Sequence, residues 1–358
     1  MKVQTKTRHT QVKNTTKQAL SPSVSIIIPA YNAQDTIKEC IMSVLNSNYP
    51  RFEVIVIDDA STDRTAEVVR SFENVVLVEK EKNRGCAATK NLGAKKAKGE
   101  YFYFLDSDVV IYEDTVEKLV ETALEYSVDM VCARYSRSPM NRGLVHHYKA
   151  MADYVFYIPK EYRAKVNLNG QLGGGGELFS RKSFEAVKGF DEKFYGASVE
   201  REDIWIKFYK AGFHSAANAQ IKTRHFFPSF KGLIKAYSFR IYEAVKLLDG
   251  KNTHISYVSF SFESGKLGPT AAFLLLITSF ACAFGFVHGS VPVIFGLFFL
   301  LFSREIVIET LKIKGKVMSV KILFLHLFFA NLIFTAGASS LVFIKLCNLI
   351  KRAFHARR

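Results

Sequence analysis

Cysteine, tryptophan and proline are all scarce in this chain, which has 5 Cys, 1 Trp and 8 Pro among 358 residues. The cysteines, Cys40, Cys86, Cys132, Cys282 and Cys347, are scattered and form no C-x-x-C pair. That pattern excludes a disulfide framework and a zinc-ribbon spacing, and it suits thiols kept reduced. Acid is missing from the first twenty residues, which carry Lys2, Lys6, Arg8, Lys13 and Lys17 around no apolar centre. Such a stretch predicts a flexible basic tail over residues 1–22 and not a signal peptide. Charge of either sign is missing from Leu267–Ser303 and from Ile322–Ile344. Apolar runs of that length predict helices set in a membrane.

The net charge of +16 comes with neither a zinc-finger spacing nor an aromatic-basic ribonucleoprotein motif. Anionic lipid and phosphorylated substrates are therefore the expected partners, and nucleic acid is not. Residues 23–230 have the pattern of an α/β domain. Ser23–Pro29, Phe52–Asp58, Val75–Val78 and Tyr101–Leu105 are nearly continuous apolar runs of strand length, which suits strands covered on both faces. Helical patterns alternate with them: Ile37, Ile41, Val44 and Leu45 share one face, and Thr65, Val68, Val69 and Phe72 another, the latter behind the capping residues Ser61-Thr62-Asp63. Glu113–Tyr126 continues as a helix and Val128–Ala133 as a strand. Alternation of this kind predicts right-handed crossovers and a mostly parallel sheet. From Ser136 to Val166 regularity fades. Four glycines, Gly173–Gly176, then predict a mobile or close-approach loop, Glu177–Ser180 a strand, and Val199–Lys210 a helix.

The apolar run Tyr101–Leu105 stops at Asp106-Ser107-Asp108. Ligands of open α/β sheets bind beyond the carboxyl ends of strands, and a carboxylate pair there suits Mg²⁺ or a similar hard cation shared with substrate phosphates. SVSIIIPAYN (Ser23–Asn32), VIVIDDASTDRT (Val54–Thr65), the stretch Asn83–Asp108, Gly173–Phe194 and VERED (Val199–Asp203) follow one another. This order resembles that of the inverting GT-A glycosyltransferases of family 2 over Ser23–Phe227.

The resemblance implies a Rossmann-like GT-A domain that takes a nucleotide diphosphate-sugar and uses Mg²⁺ or Mn²⁺. It implies that Pro29, Tyr31, Asn32 and Asp59 hold the base and ribose, with Arg84 and Lys90 near the diphosphate. Lys90 stands where the family often has Arg, a departure that loses bidentate geometry. By the same resemblance Asp108 binds the metal, Asp106 reaches the ribose or a metal-bound water, and His225 is a further ligand. Glu202-Asp203 matches the E-D pair at a helix start, with Asp203 as the general base. Trp205 reads as core, and His146 and His147 as surface residues.

Residues 231–266 are expected to form an amphipathic interfacial helix and linker, 267–350 a region of two or three membrane helices, and 351–358 a basic tail. The first two would be joined at His288–Pro292, and the lysine-rich flanks place the catalytic domain on the cytosolic face. A third crossing would put Lys351, Arg352, Arg357 and Arg358 outside, against that rule. The expected activity is transfer of a sugar to a hydroxyl of a membrane-associated, lipid-linked acceptor. A polyprenyl-phosphate glycosyl synthase and a non-catalytic nucleotide-binding scaffold are the alternatives, and the absence of Gln-x-x-Arg-Trp disfavours processive synthesis.

Overall fold

A computed structural model describes residues 21–156, 165–168, 174–194, 200–249, 267–283 and 285–355. The readings that fall on residues 1–20, Asn169–Gly173, Val199 and 250–266 lie outside them. The strands are β1 (Val24–Ala30), β2 (Phe52–Asp58), β3 (Val76–Glu79), β4 (Tyr101–Phe104), β5 (Val109–Ile111), β6 (Met130–Tyr135), β7 (Val166–Leu168), β8 (Glu177–Ser180) and β9 (Ser215–His225). The helices are α1 (Ile37–Leu45), α2 (Thr65–Arg70), α3 (Gly85–Lys96), α4 (Thr115–Glu125), α5 (Leu144–Phe156), α6 (Arg181–Ala186), α7 (Glu200–Lys210), α8 (Phe230–Asp249), α9 (Leu267–Ala283) and α10 (Ser290–His355).

Packing divides the chain into two units that interleave in sequence. One comprises Met1–Arg134, Ala164–Gly196 and Asp203–Arg224, and the other Tyr135–Arg163, Ala197–Glu202 and His225–Arg358. In the first, the sheet order is β3-β2-β1-β4-β8-β6-β9-β5, with β7 beside β9. The expected parallel sheet holds for β3, β2, β1 and β4. From β8 onward the sheet is mixed, because β8 runs antiparallel to both β4 and β6. β3 also departs from expectation: it is an edge strand, and Val76 is half exposed.

Between β1 and β4 the strand order reverses direction, since β2 and β3 lie to one side of β1 and β4 lies to the other. Ile26, Ile27 and Ile28 of β1 are fully buried there. α3 covers this part of the sheet with small side chains, Ala87, Ala88, Gly93 and Ala94. At Gly93 a Cβ would come within 2.3 Å of the Ile27 Cγ2 methyl, so only glycine lets α3 sit this close. An aromatic cluster fills the space beside it: the Phe104 ring lies 5.1 Å from Phe184 and 5.2 Å from Phe190, and Phe179 meets Phe208 at 5.1 Å.

The second unit is helical. Its core joins Tyr148, Met151, Ala152 and Val155 of α5 to Leu233 of α8 and to Ile306, Ile322 and Phe329 of α10. Thus the stretch from Ser136 onward, read as irregular, contains a helix. Lys149 and Asp153 obscured it: both are buried and pair with one another on the apolar face. The α10 segment is broken at Gly315, where φ is +79°. Its halves, residues 290–314 and 316–355, fold against each other, with the Phe299 ring stacked 5.6 Å from His326. Among the described residues, Ser290–Leu332 is the helical stretch long and apolar enough to cross a membrane, and Ala272–Ala283 is a shorter apolar helix. Against the two or three crossings expected, this gives one candidate among the described residues, and the break at Gly315 lies within it.

Candidate active site

Leu105 donates its N–H to Ile27 O at 3.0 Å, holding the end of β4 beside β1, and Val109 N–H closes a turn onto Asp106 O at 3.0 Å. The turn sets Asp106 and Asp108 at the carboxyl end of β4, next to the point where the strand order reverses. Cys40 of α1 lies beneath them, its Sγ 3.6 Å from Asp106 O. Burial, and then the carboxylates of Asp108 and Asp106, push the Cys40 thiol well above the usual thiol range.

Lys90 is 1% exposed, and its Nζ lies 3.7 Å from Asp106 Oδ1 and 5.2 Å from the centre of the Phe190 ring. A buried ammonium is costly without charge or π partners, and Asp106 and Phe190 supply both. The lysine, read as a weakened diphosphate contact, is placed as the charge partner of Asp106. Arg84, the N-cap residue of α3, is exposed at the same rim.

The acids after β2 are arranged differently. Asp59, expected to hold the base or ribose, is 3% exposed. Its carboxylate accepts from Lys80 Nζ at 2.5 Å and from the backbone N–H groups of Arg84 at 2.9 Å and Gly85 at 2.8 Å. It thereby satisfies the first turn of α3, whose N–H groups have no partner within the helix. Asp58 accepts from Ser61 N at 3.1 Å and from the Ser61 hydroxyl. Asp63 accepts from Thr65 N at 2.9 Å, from the Thr65 hydroxyl and from Gln34 N at 3.1 Å. It holds the start of α2 although Arg64 occupies the N-cap position.

Pro29 lies opposite Ile57 in the ladder between β1 and β2, and Tyr31 is 50% exposed. Asn32 adopts φ +49°, a conformation its amide tolerates better than most side chains do. Its N–H donates to Ser61 Oγ at 2.9 Å, and its Oδ1 accepts from Thr62 N at 2.8 Å. The two loops are tied together through it.

The end of the glycine run is closely packed. A Cβ at Gly175 would meet Ala133 C at 2.7 Å, and one at Gly176, where φ is +91°, would meet the Tyr103 ring at 2.7 Å. The Tyr103 hydroxyl donates to Gly175 O at 3.0 Å. Burial, then Glu177, Cys40 and Asp106, hold this phenol protonated well above its usual range. Glu177, unremarked in the sequence, lies directly opposite Phe104 and is buried. Its place at the start of β8, next to the last glycine, was the available signal.

Glu202 and Asp203 stand in the first turn of the helix Glu200–Lys210. Asp203 pairs with Lys207 at 3.0 Å, and Lys207 Nζ also donates to Gly189 O at 3.3 Å. Lys193 is raised above the ordinary lysine range, chiefly by the hydrogen bond it donates to Asp191 and further by the charges of Asp191 and Asp203. Asp203 therefore sits among the residues that follow Phe190. Trp205 is 5% exposed and stacks on Tyr209 at 6.1 Å, a core position. Glu202 and His225 fall in the second unit, where the His225 ring lies 4.5 Å from Tyr135 and 4.4 Å from Phe227.

Among the described residues no group of three or more His, Cys, Asp or Glu forms a ready metal site. The first unit offers the pair Asp106 and Asp108, hard oxygen donors of the kind that hold Mg²⁺ or Mn²⁺ together with substrate phosphates. Asp106 is 35% exposed at its side chain, so a ligand can approach it. The residues present fit the group.

Residues 25–188 match the family model described as Glycosyl transferase family 2. Glycosyltransferase GlyG of Streptococcus pneumoniae is 33% identical over 201 residues, covering 53% of this chain and 66% of the relative. Poly(ribitol-phosphate) beta-glucosyltransferase of Bacillus spizizenii is 36% identical over 242 residues, covering 66% of this chain and 34% of the relative. The chain thus spans at most about two thirds of the length of these curated relatives. A solved mannosyltransferase from Pyrobaculum calidifontis, in complex with GDP-Man and Mn²⁺, superposes with a TM-score of 0.56 at 20% identity, covering 92% of this chain and 89% of that one. That likeness shows the shared fold.

Proposed function

We propose that the protein, whose residues 25–188 match the model of glycosyl transferase family 2, is an inverting, metal-dependent glycosyltransferase. It moves a sugar from a nucleotide diphosphate-sugar to a hydroxyl of a membrane-associated, lipid-linked acceptor, with its catalytic domain on the cytosolic side. The single observation that carries this reading is the carboxylate pair Asp106 and Asp108 at the end of β4, backed by the buried Lys90 ammonium 3.7 Å from Asp106.

In this mechanism Tyr31, Pro29 and Asn32 border the nucleoside, while Asp59 acts from behind by holding the start of α3 and so placing Arg84 toward the diphosphate. Lys90 fixes the orientation of Asp106. Asp106 and Asp108 would hold Mg²⁺ or Mn²⁺, which when bound supplies Lewis-acid neutralisation of the leaving diphosphate. Asp203, next to Glu202, takes the proton from the acceptor hydroxyl as its oxygen bonds to the anomeric carbon and the bond to the diphosphate breaks. One displacement inverts the anomeric centre.

The purified chain is expected to hydrolyse a nucleotide-sugar slowly in the presence of Mn²⁺ or Mg²⁺, and Asp108→Ala to lose that activity. Unchanged hydrolysis by Asp108→Ala would sink the proposal. Asp203→Asn is expected to abolish transfer to a hydroxyl acceptor. Retained transfer with a polyprenyl-phosphate acceptor, already ionised, would assign the reaction to a polyprenyl-phosphate glycosyl synthase instead.

A further inference from the structure

The helical unit holds a hairpin whose dimensions point to a specific seat in a bilayer. Its first leg is α9, 17 residues long, or about 25 Å. The second leg is the charge-free start of α10, residues 290–303, about 21 Å long. α9 packs on both halves of α10 through Ala272, Phe299 and Ala330. Lys266 and Arg304 bracket the hairpin in sequence, and Lys321 stands just before the uncharged run Ile322–Ile344. Because Phe299 lies against His326 and Ile306 clusters with Ile322, the antiparallel register brings Arg304 and Lys321 to one level. The apolar zone of the hairpin and that of the later half of α10 therefore begin together. The later run is long enough for a hydrocarbon core of about 30 Å, and each hairpin leg is shorter than that.

The tip is built for an apolar setting. In lipid, backbone polar groups must find their partners within the protein. Here Phe286 N–H bonds Ala281 O at 2.8 Å and Gly285 N–H bonds Cys282 O at 3.0 Å, with Gly285 at φ +77°. This pair of bonds is a Schellman closure. The start of α10 is capped in turn by His288: Ser290 N–H donates to its Nδ1 at 3.2 Å, and Val291 N–H to its carbonyl at 3.0 Å. The tip carries no charge, and Phe286 is 81% exposed, with Phe280 at 64% and Val293 at 60% near it.

We propose that α9 and residues 290–303 form a re-entrant hairpin that enters and leaves the bilayer on one side, with Phe286 buried among acyl chains. The inference rests on the membrane association proposed above, which flotation of the unaltered chain on liposomes tests separately. The experiment uses the full chain carrying Phe286→Trp in phosphatidylcholine and phosphatidylglycerol vesicles, read as a fluorescence difference from the parent, whose Trp205 is buried. Lipids brominated along the acyl chain are expected to quench the added tryptophan severalfold more than iodide does, whether iodide is outside or trapped inside. Quenching by iodide from either side, or by neither reagent, would overturn the proposal. As a second variant, Phe286→Lys is expected to reduce vesicle binding at least tenfold while leaving donor hydrolysis in solution unchanged. Unchanged vesicle binding would mean that the tip lies in water.

Discussion

Two acidic rims stand at the carboxyl ends of neighbouring parallel strands, yet the fold treats them differently. After β2, the carboxylates of Asp58, Asp59 and Asp63 take hydrogen bonds from Ser61, Lys80, Arg84, Gly85, Thr65 and Gln34. After β4, Asp106 keeps 35% of its side chain exposed, whereas Asp59 keeps 4%. An acid at a strand end serves the fold when backbone amides converge on it. It serves a ligand when its oxygens still face solvent. The first rim builds the cradle, and the second leaves a carboxylate that a ligand can reach.

The largest expected effect separates the two rims. Asp108→Ala should lower transfer on the order of a hundredfold or more, because several kcal/mol of charge stabilisation are at stake, with little change in melting temperature. Asp59→Ala should instead destabilise the fold by about 3 kcal/mol, since it strands a buried Lys80 and two helix-start amides. Thermal melts and donor hydrolysis on both variants check the pair. A stable, inactive Asp59→Ala would place that acid in the ligand set and erase the distinction.

Gly93→Ala comes next, at about 1–3 kcal/mol of overpacking against Ile27, and denaturant titration measures it. A neutral outcome would mean that α3 does not need its close approach to β1. The smallest effect concerns acid. Burial raises the Asp63 carboxyl, but the Thr65 hydroxyl, the Thr65 amide and the Gln34 amide outweigh it and hold the group below the ordinary carboxylate range. A depressed carboxyl stabilises the fold above its unfolded pKa, and that contribution is lost as pH falls through the folded value. Between about pH 5 and pH 3, the native chain should therefore lose more stability than Asp63→Asn does, by chemical denaturation at each pH. Equal slopes would remove Asp63 from the acids used by the fold.

Much of the frame was legible in the chain. Val24–Ala30 and Phe52–Asp58 are strands because continuous apolar runs can be buried on both faces, and the stop at Asp106 marks the end of β4. α5 was not legible, because the buried pair of Lys149 and Asp153 sits where an apolar stripe would be. β5 and β7 escaped notice because three-residue strands carry no period. The glycine run showed two possible uses, and the contacts of Gly175 and Gly176 with Ala133 and Tyr103 select close approach for its last members.

What the sequence by itself determined is local: the alternation of strand and helix, the acid pair after Leu105, and the stretches without charge. Burial of a strand and loss of charge are properties of neighbouring residues, so they can be read in order. Tertiary structure alone decided which acids are spent. Asp59 is paired with Lys80, 21 residues away, and hydrogen-bonded by the Gly85 N–H, 26 residues away, and Asp106 is steadied by Lys90 from another element. A carboxylate's role depends on which donors fold against it.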